Sequence, residues 1–237
     1  LVTATTAQTN QTLFPNQTGS SLINSIQGSY TPSNVLGYNG ARDVLWGAIA
    51  DRNSGKLEGA YSGYTINVDP NGPNPRTEAY NKGINCEHTW PRSKGASSGN
   101  PKSDMHHLFP TRVEVNSARG SYPFAEINDP KTDKWFINDQ ESTSKPSSNI
   151  DAYSELDESG YFEPRESLKG NIARAMFYFY AIYNNVADKN FFKPQMLTLY
   201  KWHVQDPVDA DEAWRNNFIA TKQGNKKNPF ILDSSLI

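Results

Sequence analysis

The sequence predicts a single α+β domain in which helices surround a small sheet. Tyr64, Ile66 and Val68 alternate with polar residues, as in a half-buried strand. A long apolar stripe at helical spacing follows later in the chain, formed by Leu168, Ile172, Ala175, Met176, Phe179 and Tyr183. We find no internal repeat and no second set of domain boundaries in the 237 residues. The predicted organisation is therefore an irregular N-terminal arm over residues 1–34 and one domain over residues 35–237.

Composition excludes several classes of protein. No run approaches the roughly 18 apolar residues that a membrane span needs, and the single cysteine, Cys86, excludes a disulfide framework. The formal net charge of −2 excludes a polycation that coats nucleic acid. The chain begins at Leu1 rather than Met, so we expect a mature or trimmed product.

The first third of the chain passes from a polar arm into regular structure. Residues 1–34 are rich in Thr, Asn, Gln and Ser, which gives an arm little to bury. A helix is predicted near 38–50, with one apolar face formed by Ala41, Val44, Leu45, Ala48 and Ile49. After the strand around Ile66, Pro and Gly residues break the chain at 70–75.

The middle of the chain alternates short elements and loops. We predict a strand at 84–90, a Gly, Ser and Lys-rich loop at 92–103, and a helix that has Pro110 in its first turn and ends near Arg119. The stretch 126–166 holds eleven Asp/Glu against four Lys/Arg and is predicted to be a solvated excursion. Its functional alternatives are a calcium-binding loop or a guard that repels misplaced phosphate.

Helices dominate the C-terminal part. Pro164 and Glu166 suit the first turn of the helix that carries the apolar stripe, which we assign to the core. Two further helices are predicted near 194–203 and 209–222. Asp209 and Glu212 form a capping-box pattern at the start of the second, and Gly224 can end it.

Three of the four histidines, His88, His106 and His107, lie within twenty residues of each other. Imidazole changes charge near neutral pH, so His88 is a candidate general base. Glu87 beside it and Asn116 further along offer the oxygen ligands that Mg²⁺ prefers. Neighbours in a regular strand point to opposite faces, so Glu87 and His88 can share a site only if the strand ends or twists there.

Basic residues concentrate around these histidines. The segment 82–119 holds six Lys/Arg against three Asp/Glu, although the chain as a whole is acidic. On the predicted helix, Arg112, Asn116 and Arg119 are spaced i, i+4, i+7 and share one face. An amide ligand between two guanidiniums would suit a metal-bound phosphate. The pattern favours a phosphodiester site.

Other chemistries remain open at this stage. Cys86 with the histidines could bind zinc, but no second cysteine or spaced histidine pair accompanies it. A thiol nucleophile at Cys86 is disfavoured, because an apolar strand and the neighbouring carboxylate would raise the pKa of the thiol. We therefore assign Cys86 to the core, and keep a zinc hydrolase as an alternative.

Three motifs together resemble the bacterial endonuclease I family: Cys86-Glu87-His88-Thr89-Trp90-Pro91, Asp104-Met105-His106-His107-Leu108-Phe109-Pro110 and Val115-Asn116-Ser117-Ala118-Arg119. The resemblance covers roughly residues 36–232. It continues in Gly170, Ala173, Arg174 and Tyr178, and in Trp202, Pro207, Val208, Arg215, Gln223, Gly224, Asn225, Asn228, Pro229 and Phe230. It implies a ββα-metal, or His-Me finger, motif. Unlike the disulfide-rich members, this chain has one cysteine.

The resemblance implies roles for individual residues. Glu87 and Asn116 would bind a divalent metal and His88 would be the general base. The arginine that stabilises the transition state would be Arg92 or Arg119. Apart from the resemblance, we expect Arg112, Lys94 and His107 to bind substrate.

The implied activity is non-specific endonuclease cleavage of DNA, or alternatively RNA, to 5′-phosphate products. Mg²⁺ is the expected cofactor, with Mn²⁺ or Ca²⁺ as alternatives. The expected protein is a monomer without a membrane partner, secreted or periplasmic. A catalytically inactive nucleic-acid-binding module on the same fold is the second alternative.

Overall fold

The computed structural model describes residues 10–237. Its helices in chain order are α1 Gly19–Tyr30, α2 Tyr38–Arg52, α3 Pro75–Asn81, α4 Gly99–Ser103, α5 Val113–Arg119, α6 Lys169–Ile182, α7 Lys189–Phe192, α8 Met196–Gln205, α9 Ala210–Lys222 and α10 Pro229–Leu232. Its strands are β1 Lys56–Glu58, β2 Thr65–Asn67, β3 Ile84–His88, β4 Leu108–Arg112, β5 Lys134–Ile137, β6 Gln140–Ser142, β7 Ser154–Asp157 and β8 Tyr161–Glu163. The predicted α+β class is confirmed.

Helix α6 is the centre of the larger hydrophobic core. The predicted stripe is buried on it and around it, from Leu168 to Tyr183. The helix packs chiefly against α8. One face also receives Trp90, whose indole stacks on Phe179 at a centroid distance of 4.7 Å. Because Trp90 lies two residues after the end of β3, this contact fixes that end of the strand against the core.

Helix α2 forms the second core with the β1–β2 hairpin and β3. The helix is where the sequence predicts it, but its buried face is rotated. Leu45, Trp46 and Ala50 are fully buried, whereas Val44, Ala48 and Ile49 are only partly buried. Trp46 has the largest side chain on the helix, so its burial contributes the most apolar area and sets the rotation.

Strands β3 and β4 form an antiparallel pair, followed directly by α5. The register pairs Cys86 with Pro110 and Ile84 with Arg112. The prediction that Pro110 and Arg112 belong to the helix is therefore wrong. Pro110 is a strand residue whose carbonyl accepts the Ala60 amide at 2.8 Å. Since α5 begins only at Val113, Arg112 does not share a helical face with Asn116.

The acidic stretch 126–166 is not a solvated excursion. It folds into a four-stranded antiparallel sheet in the order β6-β5-β7-β8. Its apolar residues Trp135, Phe136, Leu156 and Phe162 are buried. The strands are only three or four residues long. Such short strands leave too few alternating positions to stand out against the surrounding charges.

The N-terminal segment also differs from the irregular arm we expect. Residues 19–30 form α1, and Ile26 on it is buried. The Gln27 amide donates to the Ala181 carbonyl at 3.0 Å, which ties α1 to the end of α6. Residues 1–9 of the expected arm lie outside the described residues.

The C-terminal helices agree with the sequence. Asp209 accepts a hydrogen bond from the Glu212 amide at 2.7 Å and so caps α9. Gly224 follows the helix with a φ of 68°, a conformation that glycine adopts readily. No helix within residues 10–237 is long and apolar enough to cross a membrane.

Candidate active site

A cavity of about 600 Å³ lies beside the end of β3. Glu87 and His88 both line it, although they are neighbours on one strand. The strand ends at His88, which satisfies the condition under which neighbouring side chains can face one site. Asn116 of α5 lines the same cavity. The structure therefore brings together the three residues that carry the predicted chemistry.

Glu87 is buried, and its two carboxylate oxygens have different surroundings. Oε1 accepts a hydrogen bond from the Tyr61 hydroxyl at 2.7 Å and lies 3.3 Å from Arg119 Nη1. Oε2 has no hydrogen-bond partner within residues 10–237. Burial raises the pKa of the Glu87 carboxyl above its usual range, and Arg119 and Tyr61 partly offset that rise. One oxygen is thus fixed inside the protein and the other is available.

Asn116 is oriented through its amide nitrogen. Nδ2 donates to Asn85 Oδ1 at 2.7 Å and to the Cys86 carbonyl at 3.1 Å. The carbonyl oxygen Oδ1 accepts no hydrogen bond from the described chain. An amide oxygen and a carboxylate oxygen on one cavity wall are the kind of donor set that Mg²⁺ takes, with water and phosphate as the remaining ligands. The residues present fit a hard divalent cation.

His88 is oriented by the main chain. Its Nε2 lies 2.9 Å from the carbonyl oxygen of Lys102. A carbonyl can only accept, so Nε2 carries the proton, and Nδ1 of the neutral ring keeps its lone pair. Burial and then the nearby His107 lower the pKa of His88 to about 3. The ring is therefore neutral at ordinary pH, which is the state a general base needs.

Two arginines stand on the cavity wall without a carboxylate partner in the described chain. Arg92 is exposed in a 3₁₀ turn at 92–94, within the loop predicted after β3. Arg42 projects from α2, and its guanidinium lies 3.8 Å over the Tyr38 ring. The Tyr38 ring in turn lies 5.3 Å from the His88 ring. Unpaired guanidiniums in this position are suited to phosphate oxygens.

Arg119, the other predicted catalytic arginine, does not line the cavity. It is fully buried behind Glu87. Besides its ion pair with Glu87, it donates to the Thr89 carbonyl at 2.9 Å and to the Gly120 carbonyl at 3.2 Å. Its guanidinium is thus occupied by contacts with Glu87 and with the chain after β3.

The predicted substrate-binding residues also lie elsewhere. Arg112 pairs with Glu114 at 3.0 Å. Lys94 lies 3.3 Å from Asp188 Oδ2 and joins the loop after β3 to the segment before α7. His107 is fully buried, with Nε2 2.7 Å from the Pro101 carbonyl. None of the three lines the cavity, because each side chain is occupied by a contact inside the protein.

His106, the third histidine of the cluster, and the nearby Asp104 form a buried network. His106 Nε2 contacts the Lys226 carbonyl at 3.0 Å. Asp104 accepts hydrogen bonds from the hydroxyls of Tyr178 and Tyr183, each at 2.7 Å. This network ties the turn between α4 and β4 to α6. Sequence clustering therefore locates the region, but of His88, His106 and His107 only His88 reaches the cavity.

The zinc alternative finds no support in the arrangement of side chains. Cys86 is buried, and burial raises the pKa of its thiol to about 12. Among residues 10–237, one group of three side chains brings metal-ligating atoms close together: Glu126, Glu163 and Glu166. The ammonium of Lys169 lies 2.5 to 3.0 Å from these three carboxylates. The single ammonium of Lys169 thus offsets part of the negative charge of these three carboxylates.

Sequence reasoning missed four residues around the cavity. Tyr38, Arg42 and Tyr80 line it, and Tyr61 holds Glu87 from behind. All four come from segments before β3. No local motif marks them, since α2 and α3 reach the site only through tertiary packing.

The chain matches a family model described as Endonuclease I over residues 8–235. It is 28% identical over 235 residues to the extracellular ribonuclease of Bacillus subtilis (strain 168), covering 91% of this chain and 72% of the relative. It is 34% identical over 162 residues to the extracellular ribonuclease of Bacillus amyloliquefaciens, covering 62% of this chain and 50% of the relative.

A third relative is named for another substrate. The periplasmic deoxyribonuclease of Aeromonas hydrophila is 29% identical over 145 residues, covering 58% of this chain and 51% of the relative. For the Aeromonas hydrophila deoxyribonuclease and for the Bacillus amyloliquefaciens ribonuclease, the match spans about half the length of the relative.

Proposed function

The chain belongs to the endonuclease I family, and we propose that it is a metal-dependent endonuclease that hydrolyses the phosphodiester backbone of nucleic acids. One arrangement carries this proposal. Glu87 Oε2, Asn116 Oδ1 and His88 Nδ1 have no hydrogen-bond partner within residues 10–237, and they belong to three side chains that line one cavity. Two are hard oxygen donors and the third is a basic nitrogen. That set suits metal-assisted hydrolysis.

Glu87 and Asn116 would hold the divalent cation, for which Mg²⁺ is our first choice and Mn²⁺ or Ca²⁺ the alternatives. Once bound, the cation supplies positive charge at the phosphate and at the departing oxygen. The protein keeps Glu87 available for this role by fixing Oε1 through Tyr61 and Arg119. It keeps Asn116 Oδ1 available by using Nδ2 for the contacts with Asn85 and the Cys86 carbonyl.

His88 would act as the general base. Its Nδ1 takes a proton from water as the water oxygen attacks phosphorus in line with the 3′ oxygen. The bond between phosphorus and the 3′ oxygen breaks, the phosphate stays on the 5′ end of one product, and the departing 3′ oxygen takes a proton from solvent water. The contact with the Lys102 carbonyl holds the Nε2 side of the ring, which leaves Nδ1 as the nitrogen that can take the proton. A positioned base of this kind contributes about 10²–10⁴ in rate.

Arg92 is the arginine that we assign to the transition state. It lines the cavity and is exposed, whereas Arg119 is enclosed by protein. A guanidinium directed at the phosphate stabilises the charge that develops on its oxygens. We therefore assign catalysis to His88 and Arg92, and the positioning of Glu87 to Arg119.

Two considerations support the proposed substrate class: the expected contacts to the phosphate backbone of a nucleic acid, and the names of the relatives. Contacts to phosphate carry no sequence information, so cleavage is expected to be non-specific. The relatives are named ribonucleases and deoxyribonucleases, and we propose DNA with RNA as a second substrate. Their names also place them outside the cell or in the periplasm, and we propose the same for this chain.

One experiment tests the function directly. Purified protein is incubated with supercoiled plasmid, single-stranded DNA and total RNA, in Mg²⁺ and in excess EDTA, and the ends are probed for 5′-phosphate. We expect cleavage in Mg²⁺, loss of cleavage in EDTA and recovery when Mg²⁺ is restored. Full activity in EDTA after dialysis contradicts the metal mechanism. Absence of cleavage on every substrate contradicts the enzymatic function.

A further inference from the structure

The lining of the cavity includes an aromatic side chain that no catalytic role explains. Tyr80 of α3 lines the cavity, and 63% of its surface is exposed. Its hydroxyl makes no hydrogen bond, and its ring stacks on no other ring, within residues 10–237. A large ring left open at the rim of a polar cavity offers a flat apolar surface to a ligand.

Arg42 lines the same cavity. Its Nη2 donates to Asn39 Oδ1 at 2.6 Å and its Nε to the Tyr38 carbonyl at 3.1 Å. Nη1 has no partner in the described chain. The stacking of the guanidinium on Tyr38 holds it in place. A fixed guanidinium with a remaining donor is well prepared to bind a phosphate.

The cavity also continues past these two residues. A second, smaller cavity of about 150 Å³ shares Arg42, Tyr80 and Asn85 with the first and extends to Arg76 and Thr77. The two cavities therefore adjoin at these three residues, and we call them together the groove. Such a groove can hold more of a polynucleotide than the scissile phosphate alone.

We propose that Arg42 and Tyr80 form a subsite for the nucleotide next to the scissile phosphodiester. Arg42 contacts the flanking phosphate and Tyr80 stacks on the base, an arrangement typical of single-strand binding. A base inside a duplex already has both faces covered by its neighbours, so it cannot stack on Tyr80. The enzyme therefore favours single-stranded over double-stranded nucleic acid. This inference rests on the proposed nuclease function and adds a substrate preference to it.

The test measures binding in a His88→Ala background, which separates binding from cleavage. Fluorescence anisotropy gives the affinity for a labelled single-stranded DNA, the matching RNA and a DNA hairpin duplex, with and without Tyr80→Ala. We expect Tyr80→Ala to weaken single-strand binding by about 5- to 100-fold. Duplex binding should change by no more than about twofold. Comparison of the DNA and RNA strands shows whether the subsite distinguishes the sugars.

Two variants serve as controls. Tyr80→Phe keeps the ring and should retain single-strand affinity within about twofold. Tyr200→Ala removes a tyrosine on α8 that is 46% exposed and does not line the groove, and it should change neither affinity. Melting temperatures confirm that each variant is folded.

The outcomes separate this inference from the function on which it rests. Equal weakening for the single-stranded and the duplex probes, or no weakening, overturns the subsite even if the wild-type protein cleaves nucleic acid. A parent that binds no probe and cleaves no substrate overturns the function and the subsite together. In cleavage assays, the ratio of kcat/KM for single-stranded to duplex substrate should fall in Tyr80→Ala and stay unchanged in Tyr80→Phe.

Discussion

Arg119 Nη1 lies 3.3 Å from Glu87 Oε1, and both side chains are almost completely buried. The guanidinium supplies the positive charge that an ionised carboxylate needs at this depth. It also binds the carbonyl of Thr89, directly after β3. Arg119 therefore holds the carboxylate and the end of the strand at once.

Replacement of Arg119 and replacement of Arg92 should have different effects, because we assign a positioning role to Arg119 and a catalytic role to Arg92. Arg119→Met leaves the Glu87 carboxylate buried without its partner, a change that typically costs about 3–5 kcal/mol. We expect the melting temperature to fall by about 10 °C or more. Arg92→Ala removes an exposed side chain, so the melting temperature should stay within about 1 °C while cleavage falls by about 10²-fold.

Calorimetry and initial rates on the two variants provide the check. If Arg119→Met melts like the wild type and loses only activity, Arg119 acts at the phosphate and our assignment is reversed.

His88→Ala should abolish most cleavage without loss of the fold. The expected reduction in rate is about 10²–10⁴, the usual contribution of a general base. DNA binding should persist, because Arg42 and Arg92 remain on the cavity wall. Cleavage within about threefold of wild type would sink the assignment of the base.

The Mg²⁺ concentration that the enzyme needs should depend on Glu87 and Asn116, the two proposed cation ligands. Glu87→Gln and Asn116→Ala each weaken one ligand, so the Mg²⁺ concentration at half-maximal rate should rise. Calorimetric titration with Mg²⁺, which does not depend on activity, should likewise show weaker Mg²⁺ binding to each variant than to the wild type. Asn116→Asp is the matched variant that keeps an oxygen, and it should bind Mg²⁺ better than Asn116→Ala. Mg²⁺ titrations of the three variants that are identical to that of the wild type would place the cation elsewhere.

Salt dependence should distinguish arginines that face the cavity from those that do not. Each phosphate contact releases counterions, so its loss lowers the slope of log affinity against log salt by about one. We expect this for Arg92→Ala and Arg42→Ala. Arg112→Ala should leave the slope unchanged, because that guanidinium pairs with Glu114 away from the cavity. A reduced slope for Arg112→Ala alone would restore the substrate role that its sequence position suggests.

Acid should destabilise the protein partly through His107. Burial lowers the pKa of His107 to about 4 in the folded protein, against about 6.5 when unfolded. The unfolded chain then binds more protons between these values, so stability falls as pH drops from about 6.5 to about 4, by about 3 kcal/mol in total. His107→Gln removes this titration. Its stability should fall less than that of wild type over the same window, as measured by urea unfolding; parallel curves would contradict the prediction.

Long periodic elements could be predicted from the sequence, whereas several short ones, such as β4 and the strands between residues 134 and 163, could not. Helix α6 has enough turns for its apolar stripe to be read directly. The helix predicted across Pro110 fails because Leu108, Phe109 and Pro110 are buried in a strand of five residues. Local propensity cannot distinguish such a strand from a helical first turn until its partner β3 is known.

The candidate site shows the same division. Glu87, His88 and Asn116 are marked by residue type and by local motifs, and the structure places all three at one cavity. The predicted site residues that the structure places away from the cavity are long cations and a histidine, whose contacts depend on which partner they meet. Lys94 meets Asp188 and Arg119 meets Glu87 only after the chain has folded. Tyr80 and Arg42 carry no local mark because α3 and α2 reach the cavity from earlier segments.

The acceptor that orients the His88 ring is a main-chain carbonyl, that of Lys102. Ordinary codon changes at position 102 replace the side chain and leave that oxygen in place. The lysine can therefore drift in evolution or be replaced in the laboratory while the imidazole keeps its tautomer. Only changes that move the backbone of α4, such as an insertion or deletion within 99–103, would release the ring. Replacement of the amide between residues 102 and 103 by an ester makes the carbonyl of residue 102 a weaker acceptor. It would therefore weaken the hydrogen bond from His88 Nε2 without a change of side chain.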